Sequence, residues 1–341
     1  KIKALADGTY SNCTISVTDR ASTSNKSDNL SVSSFTIDTT APKLEEVTAV
    51  STPTNDNTSL SYIFSSTETG TITYGGSCSS STTSATADNN TITFDALADE
   101  TYSNCKISVD NNSNTSDNLS VSPFTIDTIA PRLDNVTIAS DNTLNTTLAK
   151  TGDNITLSIT SSETLLNRPI VKIAGKNVTE TGDNITWSAV YTMASNDSDN
   201  VSVSLSISFS DLAGNPGSAV TSTTDGSAVW FDKTAPTLSS VTIASNNSVS
   251  TLAKTGDNVT LSITSSEAIQ TPIVLIAGQA ATETGDNITW SAVYTMASND
   301  SEELVSLNIG FSDLAGNAGI AATSTTNGSA VLFDKTSPVL Q

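Results

Sequence analysis

The second half of this chain is written twice. Residues 148–160 read LAKTGDNITLSIT, and residues 252–264 read LAKTGDNVTLSIT. The string ETGDNITWSAVYTMASNDS stands at 180–198 and again at 283–301. FSDLAGN at 209–215 returns at 311–317, and FDKTAP at 231–236 is answered by FDKTSP at 333–338. A repeat this close, at a period of roughly a hundred residues, requires a row of similar units, each with its own core. Copying a unit adds length, reach and stiffness. It rarely serves catalysis, because a catalytic site is seldom duplicated wholesale.

The first half carries a different repeat. ALADGTYSNCTISV at 4–17 matches ALADETYSNCKISV at 96–109, and SDNLSVSSFTIDTTAP at 27–42 matches SDNLSVSPFTIDTIAP at 116–131. Pro42, Pro131, Pro236 and Pro338 close the successive units. The expected domains are therefore 43–131, 132–236 and 237–338. They are preceded at 1–42 by the C-terminal part of a further unit and followed at 339–341 by the start of another. The simplest expectation is an excerpt from a longer array.

Thr, Ser, Asn, Ala and Val dominate, a composition that favours strands and turns over helices. The charge is lopsided, with 35 acidic and 14 basic residues and a net charge of −21. Nucleic acids and anionic membrane surfaces require a basic face and are disfavoured as partners. Divalent cations and a self-repelling exterior are favoured. No run of about eighteen apolar residues is present to insert into a membrane.

The chain has no histidine and three cysteines. Cys78 and Cys105 fall in one unit, within strand-like segments. They are expected to form a disulfide, which implies an oxidising, extracellular setting. A metal-binding pair is the poorer alternative without His or a CxxC motif. Cys13 aligns with Cys105, so its partner is expected about 27 residues further upstream; it is either a severed bond or an intersubunit one. Without His, neither a Ser-His-Asp triad nor a Cys-His pair can form. No phosphate loop is present, and no acid pair is unique to one unit. The chain is expected not to be an enzyme.

Period-2 alternation is clear. Val201, Val203, Leu205, Ile207 and Phe209 alternate with serines, and Val305, Leu307, Ile309 and Phe311 repeat the pattern. Ile288, Trp290, Ala292, Tyr294 and Met296 form another such series, as do Val259, Leu261 and Ile263. One apolar face per strand indicates antiparallel sheets buried on one side. About seven such strands per hundred residues, separated by TGDN, AGN and DGS turns, argue for sandwiches. The fold class expected is all-β, with tandem immunoglobulin-like β-sandwich domains in an extended array. Trp187 and Trp290 fall on core-facing positions and read as core fillers rather than sugar-stacking platforms.

LAKTGDNVTLSIT, PIVLIAG, FSDLAGNAG and FDKTAP together resemble the bacterial Ig-like repeats of large secreted surface proteins and adhesins. GTITYGGSC, ALADETYSNC and FTIDTTAP resemble a sister class of the same repeats. The resemblance covers essentially the whole chain. It implies that the DxAGN turns help to hold calcium, which takes about six to eight oxygen ligands. The expected ligands are Asp211 and Asn215 with their copies Asp313 and Asn317, and the in-register acids Asp153, Asp257, Asp232 and Asp334. Glu163 and Glu267, and Asp183 and Asp286, recur in register as well. The competing reading of these turns is local: Asp and Asn form Asx-turns and Gly supplies positive φ. In the first half the box is degraded, keeping Asp19 in one copy and Asp110 in the other. At the linkers, Asp38, Asp127, Asp232 and Asp334 either pin neighbouring domains through a shared cation or merely end a strand before a stiff proline segment.

Sequons for N-glycosylation recur, for example at Asn12, Asn57, Asn135, Asn184 and Asn287, and are permissive for glycans. The functional expectation is a non-catalytic stalk segment of a giant extracellular, cell-surface or biofilm adhesion protein. Its partners would be neighbouring repeats or identical subunits, with any cell-surface or matrix ligand bound by regions outside this chain. The alternative is a self-assembling subunit of an extracellular filament or surface layer, joined by strand donation. A lectin-like module ranks last, since aromatic residues are few and face the core.

Overall fold

The computed structural model describes residues 3–20 and 25–339. Of residues 339–341, expected to open a following repeat, only Val339 lies among them; Leu340 and Gln341 lie outside. The described chain is all-β and contains no helix, so no helix is present to cross a membrane. The protein is a tandem array of β-sandwiches. Two compact bodies are distinguished. One comprises the residues up to Ala130 together with Ser210–Asn215, and the other comprises the remainder.

In the third repeat, Asn154–Ser161 pairs antiparallel with Leu133–Ser140 on one side and Thr186–Thr192 on the other. The opposing sheet sets Ile170–Ile173 between Lys176–Val178 and Leu205–Ser208. A third ladder runs Leu148–Ala149 parallel to Trp230–Phe231. The fourth repeat reproduces this layout. Asn258–Ser265 lies between Leu238–Ser245 and Thr289–Thr295, opposite Ile273–Ile276 and Leu307–Gly310. Each repeat buries its own core between its sheets, Val136 through Phe231 in one and Val241 through Phe333 in the other.

The alternation read from the sequence is realised where strands face these cores. Val259, Leu261 and Ile263 are buried, as are Val203, Leu205, Ile207 and Phe209. Two positions depart from it. Val201 is exposed because Val201–Ser202 leaves that run and pairs instead with Trp230–Phe231. Ile288 is exposed because it sits in the turn before Thr289–Thr295, following Asn287 at φ 75°. Trp290 is buried, and Gly285 lies flat beneath its ring: a Cβ there would fall 2.6 Å from the indole Cδ2. Trp187 and Gly182 form the same pair one repeat earlier.

The second repeat has a more aromatic core. Tyr62, Phe64, Phe94 and Phe124 are all but fully buried, and Phe94 stacks on Phe124 with centroids 6.1 Å apart. Cys78 and Cys105 are joined by a disulfide, with Cα atoms 5.3 Å apart, and both are buried. Residues 3–42 supply shorter ladders, Gly8–Tyr10 with Phe35–Ile37 and Thr14–Ile15 with Leu30–Ser31. Cys13 is half-buried and free.

Candidate metal centre

The site begins with a turn. In FSDLAGN at 311–317, the Asp313 carboxylate accepts hydrogen bonds from the Asn317 backbone N–H at 2.8 Å and from its Nδ2 at 2.8 Å. Gly316 adopts φ 90°, a left-handed conformation that glycine enters without steric cost. The Asp313 side chain is thereby locked and buried. Asn317 Nδ2 also donates to the Asp232 carbonyl at 2.9 Å, fastening the turn to the linker that enters the fourth repeat. Ser265 Oγ donates to the Glu267 carbonyl, and Thr237 N donates to Ser266 Oγ at 3.0 Å, which fixes the segment carrying Glu267 against the same linker.

These ties bring Asp232, Glu267 and Asp313 together. Each offers a carboxylate oxygen, and the three atoms lie within 4.8 Å of one another. Among the described residues the salt bridges are Arg132–Asp134 and Lys150–Asp153, and neither reaches this cluster. Lys233, next in sequence to Asp232, directs its Nζ to the Ser195 and Asp197 carbonyls instead. Burial, then the charges of Asp313 and Asp199, push the Asp232 carboxyl above its ordinary range. Burial, followed by Asp232, Asp313 and Asp199, pushes Glu267 in the same direction. Two unit charges about 4 Å apart repel by about 4 kcal/mol at an effective dielectric of 20. Three converging carboxylates are therefore costly alone and well suited to a hard divalent cation.

The sequence-expected residues divide here. Asp232, Asp313 and Asn317 converge, the last as the clamp that positions Asp313 rather than as an oxygen donor. Glu267, noticed only as an in-register acid, completes the group. Asp211 and Asn215 form the same clamp, with Asn215 Nδ2 on Asp211 Oδ2 at 2.7 Å and on the Asp127 carbonyl at 2.8 Å. Asp153 and Asp257 have another part. Asp153 accepts from Asn142 Nδ2 at 2.7 Å and from Lys150 N at 2.9 Å, and is ion-paired with Lys150. Asp257 accepts from Asn247 Nδ2 and Lys254 N in the same way. Both carboxylates hold turns closed. Asp334 is exposed and accepts from Thr336 N at 2.9 Å. Asp183 and Asp286 cap the turns before Thr186 and Thr289.

The junction between the first and second repeats uses the same positions with one replacement. Asn111, not Asp110, stands where Asp313 stands. Asn111 N donates to Asn114 O as Asp313 N donates to Asn317 O, and Asn114 Nδ2 reaches the Asp38 carbonyl at 3.1 Å. The turn is one residue shorter, which displaces the match by one position in sequence. Asn111 Nδ2 donates to Asp38 Oδ2 at 2.9 Å and to Glu68 Oε2 at 2.5 Å. A neutral amide with two N–H groups thus sits between two carboxylates. In the first repeat, Asp19 and Asn25 make the clamp, with Asn25 Nδ2 on Asp19 Oδ2 at 3.2 Å. Here Asn25 takes the part of the asparagine that the degraded box seemed to have lost.

Of the sequons, Asn12, Asn135, Asn184 and Asn287 are exposed and Asn57 is half-buried. Asn184 and Asn287 hold positive φ in tight turns, a conformation asparagine tolerates.

No family model matches the chain, and no curated protein matches it. Among solved structures it is similar to the immunoglobulin domains 1–5 of Sidekick-1, at 10% identity and a TM-score of 0.34, covering 96% of this chain and 66% of that one. It is similar to the I9–I11 tandem of titin at 8% identity and a TM-score of 0.31, covering 86% and 100%. It is also similar to the fibronectin(III)-like modules of Clostridium thermocellum CbhA at 11% identity and a TM-score of 0.30, covering 58% and 94%. None of these likenesses bears on function.

Proposed function

We propose that this chain is a non-catalytic structural segment of an extracellular, surface-attached adhesion or matrix protein, in which cations stiffen the joints between sandwiches. The observation that supports it most is the cluster of Asp232, Glu267 and Asp313. It joins the linker, the end of one strand and the following turn, so a calcium ion bound there ties the fourth repeat to its own entry segment. The Asn142 Nδ2 bond to the Ala315 carbonyl, at 2.8 Å, links the third repeat to the same turn, so ordering the turn restrains the joint. The disulfide between Cys78 and Cys105 supports an oxidising compartment. The experiment is calorimetric unfolding in calcium and in EDTA. Chelation is expected to lower the melting temperature by several degrees; superimposable melts contradict the cation reading.

A further inference from the structure

The third and fourth repeats lie, apart from Ser210–Asn215, in one compact body, and they differ at one loop. In each, an aspartate closes the turn that follows the tryptophan-bearing strand. In the fourth repeat Asp300 uses both carboxylate oxygens: Oδ2 accepts from Ala297 N at 2.7 Å and Oδ1 from the Tyr294 hydroxyl at 3.2 Å. In the third repeat both donors converge on one oxygen. Asp197 Oδ2 accepts from Ala194 N and from the Tyr191 hydroxyl, each at 2.8 Å. Asp197 Oδ1 is left with no hydrogen-bond partner, although the residue is only 5% exposed. A buried carboxylate oxygen that no donor meets is costly, and native proteins contain few of them.

The difference has a cause in the sequence. Val203 and Val305 hold equivalent places, donating from N to the Val229 and Val331 carbonyls at 2.8 Å. One residue more separates Asp197 from Val203 than separates Asp300 from Val305. The longer loop carries Asn200 at φ 54°, a left-handed conformation that asparagine tolerates. Asp197 and this loop line a cavity of about 200 Å³. Its walls include Met193, Val203 and Phe231, all buried, while Val201 and Ser202 are exposed at its mouth. Lys233 gives its ammonium hydrogens to the Ser195 and Asp197 main-chain carbonyls and forms no ion pair with the Asp197 carboxylate.

We propose that this cavity is a binding site for a short primary alkylammonium. The ammonium donates to Asp197 Oδ1, and the alkyl chain lies against Met193, Val203 and Phe231. Oδ1 has almost no surface open to water, so the donor reaches it by entering between these walls. A calcium ion fits poorly, because it takes about six to eight oxygens and these walls are apolar. The volume is below the roughly 300–1,000 Å³ of pockets for drug-sized ligands, which restricts the occupant to a small one. A free amine and a lysine side chain share this chemistry. The proposal is independent of the cation reading above, since Asp232, Glu267 and Asp313 take no part in it.

The chain supplies its own probes. It has two methionines, Met193 at the cavity and Met296 in the matching place of the fourth repeat, where each donates from N to an aspartate carbonyl. The test is methyl NMR of the 341-residue chain with labelled methionine, in EDTA, titrated with butylammonium chloride. The Met193 signal is expected to shift to saturation at one site per chain, with Met296 unmoved. Butan-1-ol, neutral and of the same length, is expected to bind about tenfold more weakly or worse, because the bond between charged groups is lost. Nα-acetyl-lysine methylamide separates the sources: a shift with it as well assigns a lysine side chain, and a shift with butylammonium alone assigns a free amine. Asp197→Asn should abolish binding. Because Asp197 also closes its loop, Val201→Trp at the exposed mouth is the second variant, expected to block the Met193 shift while leaving the melting temperature unchanged. No saturable shift at Met193, equal binding of butan-1-ol, equal shifts at both methionines, or insensitivity to Val201→Trp would each overturn the proposal.

Discussion

The junction built on Asp38, Glu68 and Asn111 and the junction built on Asp232, Glu267 and Asp313 differ chiefly in one functional group. In the first, the Asn111 amide donates to both carboxylates and the cluster is neutralised by hydrogen bonds. In the second, a carboxylate stands at that position and no cationic side chain answers it among the described residues. The scaffolding is shared: the same asparagine clamp reaches the linker carbonyl at 3.1 Å in one and 2.9 Å in the other. The comparison teaches that the geometry of the joint does not require a cation. On the cation reading proposed above, it is the third carboxylate that calls for one, and an amide at that position makes the joint self-sufficient. If calcium binds as proposed, one array would carry joints that respond to it and joints that do not.

The largest expected effect comes from importing the amide. Asp313→Asn should abolish the stabilisation that calcium gives the fourth repeat, about 3–4 kcal/mol at 100 to 1,000 times the dissociation constant. Its melt should then be alike in calcium and EDTA. The converse change, Asn111→Asp, should cost about 2–3 kcal/mol in EDTA, since it replaces two hydrogen bonds to charged groups with repulsion. Calcium should restore most of that loss, as read by thermal unfolding in both conditions.

A smaller effect concerns pH. Asp232 and Glu267 have raised folded-state pKa values, so in the cation-free protein the folded form holds protons that the unfolded form has released. Stability from this pair is therefore greatest below the ordinary carboxylate range and is lost as pH rises through the raised values. Glu267→Gln removes one of the two groups. In EDTA it should stabilise the protein at pH 7 and lose that advantage near pH 4, as measured by urea unfolding at each pH. The smallest expected effect is Asn317→Ala, which removes the donor shared by Asp313 and the Asp232 carbonyl. It should cost about 1–2 kcal/mol in EDTA and weaken calcium binding by loosening Asp313, without altering its stoichiometry.

Much of the architecture was legible in the residues. The series Val259, Leu261, Ile263 announces a one-sided strand because side chains alternate with period 2, and its burial follows. The site was legible only in part. The Asp-x-x-Gly-Asn turn is a local motif, so Asp313 and Asn317 could be picked out from neighbouring residues. Glu267 lies 46 residues before Asp313 and belongs to no motif; only the pairing of the sheets brings it in. Asp153 and Asp257 looked equally suitable, but a carboxylate four residues past an apolar strand also closes a turn, and Asn142 and Asn247 supply the donors. Asn111 was hidden by a turn shortened by one residue, which made Asp110 the apparent counterpart. Sequence register follows residue count, whereas the joint follows hydrogen-bond register.

The most direct measurement is calcium stoichiometry by isothermal titration calorimetry on three proteins: the chain itself, Asp313→Asn and Asn111→Asp. The account predicts one fewer bound calcium per chain in Asp313→Asn and one more in Asn111→Asp. An identical stoichiometry in all three would contradict the claim that the residue at this position decides whether a joint takes a cation.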